Sequence, residues 1–393
     1  MACGIAASDR AALAPASSDD PSNINQDSAA SIEKVNIFAV PMLDTSKASV
    51  PLNDIVFDTF GRVRARYVPL DEADAEFILE LRDAIAPIYQ PVYGSGADLP
   101  WLSDYDLVMG YVSGNDAYAY PINILNNHEL VNDEIDGIPV LVSYCPLCVS
   151  GVVYNRELNN QVLLFGNTSA LYQSDLVMYD HQSGSYWFQV GGEAVVGEMT
   201  GAHLGLMPST TVVWKEWKAL YPDTRVLVGT SSSPSQFSSR RYGQGFSPGY
   251  KDRIEDEKFL FPVDSDLLDR RLSSSDLVLT VEVDESATAY PLDRIGDAAV
   301  NDQVGGRPVV VFSRENGRAV GAFFREMDGR SLTFDYDADS NSFVDRETQS
   351  VWDAAGRAID GPLAGKEMER TNTRRAFWFS IAITLPDVRI YAP

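Results

Sequence analysis

The feature that most constrains this chain is that it repeats itself. Residues 106–121 read DLVMGYVSGNDAYAYP and residues 276–291 read DLVLTVEVDESATAYP, with seven of the sixteen positions identical and no gap. The correspondence continues in order. Val131-Asn132-Asp133 answers Val300-Asn301-Asp302, and Gly137-Ile138-Pro139-Val140 answers Gly306-Arg307-Pro308-Val309. Asp180 to Trp187 answers Asp345 to Trp352, and Trp214, Pro222-Asp223 and Arg225 answer Trp378, Pro386-Asp387 and Arg389. The offset drifts only from 170 to 164, so a few short deletions account for it. Collinear matches of this kind mark tandem copies of one unit. The expected organisation is a leader over 1–34, a lead-in segment with one helix over 35–105, a first unit of about 120 residues over 106–227, an irregular linker over 228–275 and a second unit over 276–393.

Within a unit the local signals are β. Val140-Leu141-Val142, Gly151 to Tyr154, Val162 to Phe165 and Leu176 to Tyr179 are short apolar runs rich in β-branched and aromatic residues. Asn159-Asn160 fits a hairpin turn, because Asn tolerates positive φ. WKEWKAL at 214–220 reads as a helix stopped before Pro222, and Glu72 to Ile85 as another with apolar residues at helical spacing. Asn132 and Asp133, present in both copies, read as turn-forming residues. The predicted fold is mainly β (a β-rich α+β chain), with two copies packed into one globule and a few short helices.

The duplication also serves as an internal control on function. Side chains shared by the copies are those the fold demands, whereas reactive groups confined to one copy mark a site. Tyr144-Cys145-Pro146-Leu147-Cys148 follows a strand in the first copy, and its counterpart Ser313 to Gly317 is SRENG, without a thiol. Three His and three Cys are all the chain has, and every His lies between 128 and 203. Three readings of the Cys pair stay open. The first is a metal knuckle completed by His128. The second is a redox dithiol, disfavoured because a β-like run rather than a helix follows. The third is structural, a disulfide or two buried thiols in a non-enzymatic binding module. Met178, Asp180 and His181 supply further donors: two thiolates, an imidazole and a thioether would select copper, the favoured metal, whereas Asp180 or a second imidazole in place of the thioether would suit zinc. Asp180 and Trp187 recur as Asp345 and Trp352, which gives them an architectural reading as well. Glu129 reads as a partner orienting His128 or as an exposed acid, and His203 as a loop imidazole.

Composition removes other classes. With 31 Lys+Arg against 56 Asp+Glu the net charge is −25, which excludes a phosphate-backbone partner. No phosphate loop or other nucleotide motif is present, so no nucleotide cofactor is expected. No run approaches a transmembrane length. Cys3, after a small residue and before a polar Ala/Ser/Asp/Pro stretch, fits a lipid-anchored leader and an extracytoplasmic location, periplasmic or at the cell surface. No feature names a substrate.

His128 to Asp133 (HELVND), Tyr144 to Cys148 (YCPLC), Ser174 to Asp180 (SDLVMYD) and Trp214 to Asp223 together resemble the signature blocks of the bacterial and archaeal domain of unknown function 3179 family, over roughly residues 100–390. The resemblance implies architecture and conspicuous positions, namely His128, Cys145, Cys148, Met178 and Asp180, but no reaction. It also implies export, as relatives are often exported. Two positions depart from the family pattern. Val149 stands where Gly follows the second Cys, and His181 stands where Arg is usual. The functional expectation is a metal site of copper or zinc in the first copy, serving a metal-dependent oxidoreductase. The alternatives are a thiol–disulfide protein and a binding module.

Overall fold

Short β-branched and aromatic runs separated by turns bury one or both faces only when laid side by side in sheets. In the computed structural model, which describes residues 39–96, 99–230 and 249–392, they do so in several sheets with six short α-helices among the described residues. The chain is mainly β, as expected. No described helix is long and apolar enough to cross a membrane.

Two large sheets organise the molecule. One runs Leu130–Ile135, Ile138–Cys145, Ser150–Asn155, Asn372–Phe377, Leu277–Val283, Ser286–Pro291, Arg389–Ile390, with Gly205–Met207 added beside Ser150–Asn155. The other runs Ala298–Val304, Arg307–Arg314, Ala319–Phe324, Thr210–Val213, Leu107–Ser113, Asp116–Pro121, Arg225–Thr230 and ends on Pro91–Ser95. Each sheet takes three strands from one segment of the chain and the next four from the other. The seams are narrow: Arg375 opposite Gly151 in the first sheet and Val212 opposite Ala319 in the second. A six-stranded sheet carries Glu193–Val196, Tyr186–Phe188, Asp175–Asp180 and Phe165–Tyr172, extended by Ile55–Asp58 and Tyr67–Pro69. A four-stranded sheet covers Phe334–Asp337 to Ala358–Asp360.

The same polar ties recur in both segments. Asn132 bonds both backbone groups of Phe165 at 2.8 Å, and Asn301 bonds those of Phe334 at 2.8 and 2.9 Å. Trp187 Nε1 donates to Asp180 Oδ2 and Trp352 Nε1 to Asp345 Oδ2, each at 2.9 Å. Tyr120 donates to Asp133 and Tyr290 to Asp302, each at 2.8 Å.

Local expectations meet mixed outcomes. The helix Trp214–Leu220 forms as read, with Trp214 and Trp217 buried. Asn159 and Asn160 turn with φ 52 and 62 between two-residue strands. The helix expected over 72–85 is shorter, Ala75–Leu81. Asp74 caps its start by accepting from Phe77 N–H, and its end is captured by a strand: Asp83 N–H donates to Asn167 O at 2.8 Å while Asn167 N–H donates to Asp83 Oδ1 at 2.9 Å. The run expected over Val162–Phe165 breaks, because Leu163 N–H bonds Arg156 O and Leu164 N–H bonds Gln182 Oε1 instead of a ladder partner. Asn132 and Asp133 are not turn residues. They sit inside Leu130–Ile135, where their side chains tie sheets and tyrosines together. The leader, Cys3 and linker residues 231–248 lie outside the described residues; the rest of the linker includes the helix Tyr250–Glu255.

Replacing Asn132 strands a buried N–H and C=O at Phe165, each costing about 1–3 kcal/mol. Asn132→Ala and Asn301→Ala should each lower stability by about 2 kcal/mol or more, read as a urea-midpoint shift at constant slope. A loss under about 0.5 kcal/mol at either position would show that these clamps do not hold the sheets together.

Candidate metal centre

The strand Ile138–Cys145 turns through Pro146 to Val149 and returns as Ser150–Asn155, with Cys145 opposite Ser150. Val149 takes φ 55, a left-handed conformation that a β-branched residue adopts only under strain. The turn is fastened on two sides: Phe377 N–H donates to Cys148 O at 2.9 Å, and the Tyr250 hydroxyl donates to Leu147 O at 2.7 Å.

Asp175 is brought in by a hairpin. Gln173 and Ser174, with φ 50 and 59, form the two-residue turn between Phe165–Tyr172 and Asp175–Asp180. Cys145, Cys148 and Asp175 then place one ligand atom each within 4.8 Å of one another. Their exposures are 1%, 0% and 0%, and both cysteines are free thiols. Cys148 Sγ lies 2.9 Å from Asp175 Oδ1 and 3.1 Å from Ser150 Oγ. Ser150 donates to Gln189 Oε1 at 2.6 Å, and Gln189 Nε2 donates to Ser143 Oγ at 2.8 Å. Asp175 Oδ2 accepts from Val190 N–H at 3.1 Å. Beside Asp175, the buried Ser174 hydroxyl has no hydrogen-bond partner.

The electrostatics are those of crowded acids. Burial pushes the Cys145 thiol well above its ordinary range, and Cys148, Asp175 and Glu129 push it further. Burial also raises Cys148, with Asp175 acting in the same direction. Burial raises the Asp175 carboxyl, against hydrogen bonds that lower it. Glu129 is raised to about 8, first by burial, with an Asn167 hydrogen bond opposing and Asp175 adding. A dication would neutralise such a group, and metal binding would displace its protons.

Of the residues singled out in the sequence, only the two cysteines fall in this cluster. His128 ends the helix Ile122–His128, its Nδ1 2.7 Å from Ala86 O, and burial lowers its imidazole. Met178 and Asp180 are fully buried on the same strand as Asp175, three and five residues along. Odd spacing turns them to the opposite face from Asp175. Asp180 is occupied there by Trp187 Nε1 and by the N–H and hydroxyl of Ser183. His203 pairs through its backbone with Glu193, on the edge strand of the six-stranded sheet, and is not one of the clustered residues. Glu129 is buried rather than exposed, and Asn167 Nδ2 donates to its Oε2 at 2.6 Å. Asp175 was missed. At the Asp180–Asp345 offset its position falls against Ser340, so a carboxylate unmatched in the later segment was the available signal.

The titration has a sign. In metal-free protein Glu129 holds its proton up to about pH 8, whereas the unfolded chain releases it near 4.5. The group's stabilising contribution is therefore complete below about 4.5 and lost as pH rises through 8. Chelator-treated protein should melt at falling temperature from about pH 5 to about pH 8, and Glu129→Gln should flatten part of that fall. An unchanged slope in the variant would remove Glu129 from the buried acids.

The family described as protein of unknown function (DUF3179) matches residues 82–388. No curated protein and no solved structure matches the chain. The match covers the cysteine turn, the Asp175 hairpin and every strand of the two large sheets but Arg389–Ile390. The chain belongs to the DUF3179 family of proteins of unknown function.

Proposed function

We propose that the protein binds one transition-metal dication through Cys145, Cys148 and Asp175, and that the ion is zinc rather than copper. The observation that carries this reading is the meeting of two thiols and a carboxylate, all buried, within 4.8 Å. After burial, the groups that raise the Cys145 thiol are Cys148, then Asp175 and Glu129, all of them acids. Burying so many ionisable groups is unfavourable unless a cation or protons compensate. Two thiolates and a hard oxygen donor suit zinc, while the thioether that would favour copper stands on the other face of its strand.

The other half of the molecule supports the same reading. We take the two segments as copies, so Arg314 closes its strand as Cys145 closes the first-copy strand. The Arg314 guanidinium is nearly buried, pairs with Glu216 and donates to Asn341 O at 2.6 Å. One copy thus carries a fixed cation at its strand end, and the other carries the means to hold a mobile one.

The thiol–disulfide alternative fares worse. A reactive dithiol needs an exposed, low-pKa thiolate, commonly at a helix N-terminus. Here both thiols are buried and raised, acids surround them, and the strand Ser150–Asn155 follows.

Protein purified without added metal should contain about one equivalent of zinc by elemental analysis. Cys145→Ser and Asp175→Asn should lose it, while Met178→Leu and His128→Gln should keep it. Metal-free wild-type protein with a readily reduced Cys145–Cys148 disulfide would overturn the reading in favour of the redox pair.

A further inference from the structure

Five arginines are buried among the described residues, and four of them have partners. Arg82 donates to the carbonyls of Val40 and Pro41, and Arg156 to those of Asp133, Val140 and Leu163. Arg314 pairs with Glu216, and Arg374 with Glu282. Arg375 is the exception. It is 6% exposed, and its Nε is sealed from solvent with no partner. Among the described residues its guanidinium makes no hydrogen bond, ion pair or ring contact. Burial lowers it to about 10, so it stays charged at neutral pH. Of the other groups acting on it, Tyr144 and Asp293 oppose that fall and Arg318 deepens it. Asp293 is exposed and already paired with Lys251 at 3.2 Å. A buried charge is costly unless something of opposite charge meets it.

The strand register shows where that partner would sit. Arg375 lies opposite Gly151 across the first seam, and Gly151 lies opposite Tyr144. Directly opposed residues share a face, so the three form one row. Tyr144 and Cys145 are consecutive in their strand, which puts this row on the other face from the cysteine. The second large sheet covers the row. A Cβ on Gly151 would stand 2.8 Å from Met109 Sδ, and Thr373 Oγ1, two residues before Arg375, donates to Ser209 O at 2.8 Å. Because Gly151 has no side chain, guanidinium and phenol flank the space above it, which the flexible Met109 thioether enters from the other sheet. The Tyr144 hydroxyl makes no hydrogen bond among the described residues either. Tyr144 and Arg375 each keep 6% exposure, so solvent reaches the row between the sheets.

We infer that Arg375 and Tyr144 form a binding site for one small carboxylate, held between the two large sheets. The planar guanidinium offers two parallel N–H groups to the two oxygens, and the phenol donates a third hydrogen bond. One fixed cation balances one negative charge, so the ligand is a monoanion. The narrow opening keeps it short, and the thioether gives its apolar end a soft wall.

The test follows the melting temperature of the full-length protein in sodium acetate, with sodium chloride at equal ionic strength as the control. Acetate should raise the wild-type value saturably, by about 3 °C or more above the chloride control. Arg375→Met, which removes the charge at similar bulk, should lose the response and melt no lower than wild type without acetate. Arg375→Lys, which keeps the charge without the fork, and Tyr144→Phe should each bind acetate about tenfold more weakly. No acetate response in wild type, or the same response in Arg375→Met, would overturn the site. An equal rise with chloride would overturn the carboxylate as its ligand. If Arg375→Met does not fold, unchanged acetate affinity in Arg375→Lys overturns the role of the guanidinium fork, and unchanged affinity in Tyr144→Phe overturns that of the phenol.

Discussion

The structure depends on each half of the chain closing the other half's sheet. An unpaired strand edge exposes a row of N–H and C=O groups and invites association. Here the edge of Ser150–Asn155 meets Asn372–Phe377, and the edge of Ala319–Phe324 meets Thr210–Val213. Gly151, at the first seam, also lets the two large sheets approach each other: a Cβ there would stand 2.8 Å from Met109 Sδ on the strand Leu107–Ser113. Because neither segment completes a large sheet alone, the cysteine turn in the first half is fastened by a backbone donor from the second, Phe377.

Much of this was legible from local residues, and what was not has a common cause. The strand runs, the Asn159-Asn160 turn and the Trp214–Leu220 helix follow from the chain's immediate neighbourhood. The exchange of strands between segments does not, because period-two patterning names a buried face but not the strand that will lie alongside. The Asp83–Asn167 pair that ends the first helix spans 84 residues, and no helix-stop signal in 72–85 announces it. Asn132 misled for a related reason. Asn is a turn former by propensity, but here its amide replaces a missing backbone partner at Phe165.

The candidate site divides in the same way. Two cysteines three apart after a strand are conspicuous in a chain with three Cys, whereas Asp175 is one of 56 acids and has no spacing to mark it. His128 drew attention because imidazole is a common ligand, and its ring faces the Ala86 carbonyl. The residues that recur in the two segments, Asp180 and Trp187 answered by Asp345 and Trp352 among them, have their polar atoms spent on architecture. The distinction between shared and unshared residues carried more information than residue chemistry alone, and applied to Asp175 it would have replaced the copper-type donor set with an oxygen-bearing one.

The bond from Phe377 to Cys148 also sets an order of events. Cys145, Cys148 and Asp175 are made early, but the donor that fastens the Cys148 turn arrives more than two hundred residues later. Synthesis from the N-terminus therefore leaves the thiols on an incomplete sheet until the chain is nearly finished. A truncated product would keep all three side chains of the cluster and lose the scaffold that aligns them. The seam makes a well-formed centre a property of the finished chain, and the state of the centre a report on whether the two halves have closed on each other.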